Sequence, residues 1–330
     1  MRSGRGLFGW QPLRGAISPT EHHPAIHPAT GSAAADAGAA PARIASLRDY
    51  LTLTKPRVMA LLLLTGFCAL VAGARGVPSW QLAVSSMVGL ALACGGASSL
   101  NHVLDADIDR LMGSRTRHRP VAAGRLPAAH ALRFGLALSA LSFMLLASTV
   151  NALAATLALA GNLFYVLVYT RWLKRSTPQN IVIGGAAGAV PPLVGWAAAT
   201  GTISLPAIFL FLIVFFWTPP HFWALALLIK RDYQAAQIPM LPVVRGDRET
   251  TKQILLYSLA LLALTIVPYA TGSFGLVYLV AALALGLPYV ALALRLHEQT
   301  AARHASALFH YSILYLALLF AAVALDRVIA

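Results

Sequence analysis

The sequence predicts an all-α membrane protein, a polytopic bundle of about nine transmembrane helices, on three observations. Hydrophobic residues make up 58% of the 330 and charged residues 11%, with a mean hydropathy of +0.71, far from the roughly half-apolar, quarter-charged usage of soluble domains. Apolar stretches of about 20 residues, enough to cross a bilayer core, recur along nearly the whole chain after residue 56. Basic residues fall in alternate connections between those stretches, the pattern that fixes orientation in a membrane.

Taken in order, residues 1–45 are rich in Ala, Pro, Gly and His and show no apolar periodicity, so a disordered cytoplasmic tail is expected there. His22, His23 and His27 are interrupted by prolines and read as tail composition. The tail carries arginine and little acid, as a mitochondrial leader does, but it has no amphipathic stretch, which favours a bacterial cytoplasmic membrane. Residues 46–330 then form one transmembrane domain, with spans expected near 57–74, 82–100, 131–150, 152–170, 180–199, 205–229, 254–271, 274–294 and 307–325.

Arg110, Arg115, Arg117, Arg119 and Arg125 follow the second span, and Arg171, Lys174 and Arg175 follow the fourth. Lys230, Arg231, Arg245, Arg248 and Lys252 follow the sixth, and Arg295 and Arg303 the eighth. The opposite connections hold little more than Arg75, with Arg327 near the end. The amino terminus is therefore expected inside. The net charge of +14 is mostly the sum of one-sided loops, which removes the case for nucleic-acid binding. Cys68 and Cys94 lie in separate spans without metal-type spacing, so neither disulfide nor zinc chemistry is expected.

Chemistry concentrates in "SLNHVLDADIDRLMGSRTRHRP", Ser99 to Pro120. Ionisable groups at membrane depth are costly and mark function. Asn101, Asp105 and Asp109 recur every fourth residue, which places them on one helical face, while Asp107 points elsewhere. Such a stripe can hold Mg²⁺, which takes one or two carboxylates together with the oxygens of a substrate phosphate. The alternative is a helix end capped at the water interface. A cap needs one acid, however, and the clustered arginines suit a ligand with surplus negative charge, such as a diphosphate.

A second polar loop, "PPHFWALALLIKRDYQAAQIPMLPVVRGDRETTKQ", follows the sixth span and carries His221, Lys230, Arg231 and Asp232. Acid-bearing loops after the second and sixth spans suggest duplicated halves. Between them, "YTRWLKRSTPQNIVIGGAAGAVPPLVGW" adds Tyr169, Lys174 and Arg175 on the same side. Gly184, Gly185 and Gly188 read as close helix packing, and Pro191 and Pro192 as a break or bend in the fifth span. Phe209, Phe211, Phe215, Phe216 and Trp217 read as core or lipid-facing aromatics.

These segments resemble the UbiA superfamily of intramembrane prenyltransferases: "NHVLDADID" resembles its first aspartate-rich motif. With "WTPPHFWALAL" and "KRDYQAAQIPMLPVVRG" the likeness runs over roughly residues 45–325 and is nearest to the haem-farnesylating branch. The resemblance implies a nine-span bundle with a lateral opening and transfer of a farnesyl group from farnesyl diphosphate to a vinyl carbon of haem B, with addition of water. It implies a Mg²⁺ cofactor on Asn101, Asp105 and Asp109, with Asp232 as a further metal-site residue. Ala236 stands where many members have a second acid, which puts a complete second carboxylate site in doubt. A haem A synthase is the implied partner downstream.

On this reading Arg115, Arg119, Lys174 and Arg231 complete the diphosphate cradle beside Asp105 and Asp109, with Tyr169, Arg175 and Lys230 nearby. His221 is open to two roles, a structural hydrogen bond or a contact to haem iron, with Trp217, Phe222 and Trp223 against the macrocycle. A cation-coupled transporter is the rival from another class. It gains nothing from three arginines beside its carboxylates.

Overall fold

The computed structural model describes residues 46–329, apart from the side chains of Ser114 and Arg115. The tail expected over 1–45 lies outside the described residues. Helix α1 (Leu47–Leu53) leads into α2 (Pro56–Ala74) and α3 (Trp80–Leu104), followed by the short α4 (Ala106–Leu111) and α5 (Gly113–Thr116). Next come α6 (Ala128–Thr149) and α7 (Ala152–Leu163), which runs on as a π-helix over Phe164–Leu173 into α8 (Lys174–Ser176). Helices α9 (Asn180–Thr200) and α10 (Leu205–Leu228) precede the short α11 (Lys230–Ala235) and α12 (Leu241–Val244). Helices α13 (Gly246–Ala270), α14 (Leu276–Glu298) and α15 (Ala302–Ile329) complete the bundle.

Among the described residues nine helices are long and apolar enough to cross a membrane, and there is no strand. The expected spans reappear with one systematic difference. Helix α13 starts at Gly246 rather than 254 and α15 at Ala302 rather than 307. Hydropathy sees only the membrane-embedded part of a helix. The polar first turn of α13 is helical too, with Asp247 and Glu249 at its positive end.

Sequence sets several of the helix ends. Ser46 and Asp49 form a reciprocal capping box at α1, and the Ser79 hydroxyl caps α3 by accepting from the Leu82 amide. Pro56 opens α2 at a position where no amide hydrogen is needed. The residue before it, Lys55, is held at φ 50° and ψ 61°, a left-handed conformation unusual for a lysine. At the opposite end of the bundle the buried Asp326 accepts hydrogen bonds from the amides of Gly275 (2.6 Å) and Tyr278 (3.2 Å), capping α14 from a neighbouring helix.

Small residues bring the backbones together, as expected where lipid offers no hydrophobic drive. The carbonyl of Gly66 on α2 occupies the space a Cβ on Gly195 of α9 would need. Gly184 and Gly185 likewise lie against Tyr169 and Thr218, as the packing reading expected, but Gly188 faces open space. Pro191 and Pro192 do not break the span: α9 runs through both.

Candidate active site

The acidic stripe lies across a helix junction. Helix α3 ends at Leu104, and Asp105 joins it to α4 with φ −96° and ψ 6°. The i→i−4 backbone bonds nevertheless continue, from the Asp105 amide to Asn101 and from the Asp109 amide to Asp105. The three side chains therefore stay on one side. Asp105 makes no side-chain cap to α4, so the capping alternative does not describe it.

Each carboxylate is held by a cation from elsewhere in the chain. Lys174 Nζ donates to Asp105 Oδ2 at 2.5 Å, and Arg119 Nη1 donates to both oxygens of Asp109 at 2.7 and 2.9 Å. Asp105 is wholly buried and Asp109 1% exposed, so these are interior pairs. Burial and the neighbouring Asp105 push the Asp109 carboxyl up against the opposing pull of Arg119. Arg119 and Lys174 were expected to face a diphosphate; they grip the acids instead.

Asn101 is a hub. Its Nδ2 donates to Asp105 Oδ2 (2.7 Å) and Thr170 Oγ1 (3.1 Å), and its Oδ1 accepts from Lys55 Nζ (2.8 Å). The one atom of Asn101 able to ligate a metal thus faces an ammonium. Sequence reasoning passed over Lys55, which precedes the first span without an acidic neighbour in sequence. Burial, with Arg119 and Lys174 nearby, lowers its ammonium pKa to about 7. A left-handed lysine turned onto the hub is the kind of strain that collects at functional sites. His102, also passed over, is 1% exposed, and neither ring nitrogen has a hydrogen-bond partner.

The π-helix explains how α7 and α8 serve this cluster. Its wider turns, common at functional sites, stack Tyr165 on Tyr169 with ring centroids 5.4 Å apart. They also turn Thr170 and Lys174 together onto the end of α3. Tyr169 is seated where Gly184 has no side chain.

Other expected members stand apart. Lys230 pairs with Asp247 (2.7 Å) in the first turn of α13, because the kink at Ile229 turns α11 towards that helix. Arg231 is exposed and makes no ion pair among the described residues. Arg175 forks onto Asp107 (2.7 and 2.8 Å) at the surface and holds that carboxyl down at about 2, with its nearer nitrogen 4.0 Å from Asp105 Oδ1. Asp232 faces the backbone of Gly113, which brings the two acid-bearing loops together. Ala236 is packed in the core, so no acid occupies that second position. Arg115 belongs to α5, but its side chain lies outside the described residues.

From Lys55 an apolar cavity of about 540 Å³ runs into the bundle between α2, α3, α7, α9, α10 and α15, a size in the range of small-molecule sites. Tyr165 and Tyr169 line it near the cluster, and His221 and Phe309 line another part. His221 Nδ1 is 2.6 Å from Ser312 Oγ, and its ring stacks between Trp217 (4.3 Å) and Phe309 (4.8 Å). Ser312 Oγ also lies 2.6 Å from the Phe309 carbonyl and donates to it. The hydroxyl therefore accepts from Nδ1–H, which leaves Nε2 with its lone pair. Trp217 and Phe222 line the cavity, whereas Trp223 is 2% exposed in the core, edge-on to Tyr257. Val58 of α2 and Ile313 of α15 both line the cavity and are both exposed. At the far end the helices are joined by Arg327 Nε donating to the Ala72 carbonyl (3.5 Å).

Residues 62–321 match the family model described as the UbiA prenyltransferase family. The chain belongs to the UbiA prenyltransferase family. It is 54% identical over 282 residues to the protoheme IX farnesyltransferase of Symbiobacterium thermophilum, covering 85% of this chain and 94% of that one. The Marinobacter nauticus protein of the same name is 51% identical, covering 86% and 93%. That of Roseiflexus sp. is 52% identical, covering 86% of this chain, which spans 53% of its length. Among solved structures, a digeranylgeranylglyceryl phosphate synthase matches with TM-score 0.71 at 17% identity, covering 86% and 99%. A UbiA homologue from Archaeoglobus fulgidus bound to GPP and Mg²⁺ matches with TM-score 0.59 at 20% identity, covering 83% and 99%. Membership makes the chain a prenyltransferase, an integral membrane enzyme with the UbiA fold.

Proposed function

We propose that this chain transfers the farnesyl group of farnesyl diphosphate to a vinyl carbon of haem B, with addition of water, giving haem O and diphosphate. The observation that carries this is the cavity that runs from Lys55, the hydrogen-bond partner of Asn101 beside the two carboxylate pairs, to an apolar region lined by His221. Relatives sharing half of this sequence bear the name of that activity.

The acidic residues fit a metal. Asp105 Oδ1 is buried without a hydrogen-bond partner, an orphan oxygen that a cation would satisfy. Asp105 and Asp109 would hold Mg²⁺, with Asp232 against Gly113 on the adjoining loop and Asn101 orienting Asp105. When bound, Mg²⁺ acts as a Lewis acid on the leaving diphosphate. Lys174 and Arg119 supply two positive charges against the two carboxylates at the cluster's centre, and Lys55, with its pKa lowered to about 7, adds a third in its protonated form. In the substrate complex Lys174 and Arg119 turn from the acids to the diphosphate oxygens, where they stabilise the charge that develops as the carbon–oxygen bond breaks.

The allylic cation so formed lies beside the faces of Tyr165 and Tyr169, where ring quadrupoles favour positive charge. His221 Nε2 contacts the haem iron, with Ser312 fixing the ring through Nδ1, the arrangement usual for metal-bound histidine. Farnesyl diphosphate and haem B enter from lipid between α2 and α15. This mouth and the amino terminus face the cytoplasmic side of a bacterial inner membrane, a reading that the one-sided basic loops support. Haem A synthase is the partner that such a product would serve.

The test is direct. Purified protein with Mg²⁺, haem B and farnesyl diphosphate is expected to yield farnesylated hydroxyethyl haem by mass spectrometry. No such product, with prenylation of 4-hydroxybenzoate in its place, would overturn the proposal in favour of a quinone-pathway acceptor.

A further inference from the structure

Part of the cavity is lined by Gly184, Gly185, Ala187 and Gly188 of α9, residues with little or no side chain. Proline has no amide hydrogen, so Pro191 and Pro192 inside α9 deprive the carbonyls of Ala187 and Gly188 of their i→i−4 donors. Both residues line the cavity, both are partly exposed to it, and a Cβ at Gly188 would meet nothing within 4 Å. No side chain among the described residues donates to either carbonyl. Carbonyls without donors are tolerated at membrane depth only where something else satisfies them. Of the hydroxyls that line the cavity, those of Thr65 and Thr218 already donate within their own helices. Helix α9 is continuous through both prolines.

We propose that the Ala187 and Gly188 carbonyls hold the water that becomes the hydroxyl of the product. This rests on the farnesyl transfer to haem proposed above. A water that gives both hydrogens to two adjacent carbonyls turns its lone pairs towards the cavity, the orientation a nucleophile needs. In the step, the carbon–oxygen bond of farnesyl diphosphate breaks and its electron pair leaves with the diphosphate. The vinyl π electrons then bond the terminal vinyl carbon to the allylic carbon, placing positive charge on the carbon next to the porphyrin ring. The held water forms the new carbon–oxygen bond there, and its surplus proton leaves with the diphosphate. Where no water is held, the same cation loses a proton from carbon and closes to an alkene lighter by one water. The prolines thus act as positioning residues, and the carbonyls they release touch the reacting water.

The experiment reads product partition in protein held in nanodiscs with Mg²⁺, haem B and farnesyl diphosphate. Pro191→Ala/Pro192→Ala restores both amide donors. The ratio of hydroxylated to dehydrated farnesyl haem is expected to fall about tenfold, the worth of one buried hydrogen bond. Gly188→Ala, for which there is room, places a methyl beside the same carbonyls and is expected to shift the ratio the same way even where the double variant fails to fold. An unchanged ratio in Gly188→Ala overturns the water site alone. Absence of any farnesylated haem from the unaltered protein overturns both the water site and the reading beneath it.

Discussion

Replacing Lys174 with methionine removes the cation that holds Asp105 while keeping most of the side chain's bulk. Asp105 is wholly buried and Lys174 12% exposed at the side chain, so the pair is little screened by water. The carboxylate keeps Asn101 Nδ2 at 2.7 Å, but its other nearby charge, Arg175, is 4.0 Å away and committed to Asp107. Breaking a buried pair from one side costs about 3–5 kcal/mol, and the surviving hydrogen bond argues for the lower end. At roughly 2 °C per kcal/mol for a large chain, Tm is expected to fall by about 6 °C in scanning fluorimetry without ligands. Two further outcomes come from the same cause. Lys174→Met/Asp105→Asn, which removes both charges, is expected to recover to within about 1 kcal/mol of the starting protein. Mg²⁺ is expected to raise the Tm of the single variant more than that of the unaltered protein, because it replaces the lost countercharge. Turnover is expected to drop about 10²–10³-fold, as when one donor to a developing anion is removed. A single variant as stable as the parent, with a double variant no better, would refute the claim that the buried acids are held in readiness by Lys174 and Arg119.

Asp105→Asn and Asp109→Asn are each expected to abolish product formation while the proteins still insert in the membrane. Asp107→Asn, which removes only a surface pair with Arg175, is expected to keep most activity, so equal loss from all three would contradict the division drawn here. Ser312→Ala removes the acceptor for His221 Nδ1–H and is expected to weaken haem binding by about 1 kcal/mol, seen as an altered Soret band and a raised haem Kd with farnesyl diphosphate affinity unchanged. Asp326→Ala uncaps α14 far from the cluster and is expected to cost about 1–2 kcal/mol in Tm measurements while kcat stays near normal.

The nine spans and the acidic stripe were legible because hydropathy and four-residue spacing are local properties of the chain. Asn101, Asp105 and Asp109 needed only the helical period to be placed together. What escaped depends on contacts between distant segments. Lys55 meets Asn101 across 46 positions, and nothing in "TLTKPRV" announces it. Lys230 was read as part of the site because it neighbours Asp232, but the kink at Ile229 hands it to Asp247. The π-helix over Phe164–Leu173 leaves no mark in an apolar run, yet it stacks the two tyrosines and aims Thr170 and Lys174. Trp223 shares its segment with His221 and was grouped with it, but successive helical residues point in different directions, and it packs in the core.

The apolar cavity lined by residues of α2 and α15 bears on how the proposed reaction would end. One product would be a greasy macrocycle, returning sideways into the leaflet it came from. The other would be a small polyanion, released past Lys55 into water. Two immiscible solvents would carry them apart at once, so the reverse encounter would be rare, and the bilayer itself would give the turnover its direction.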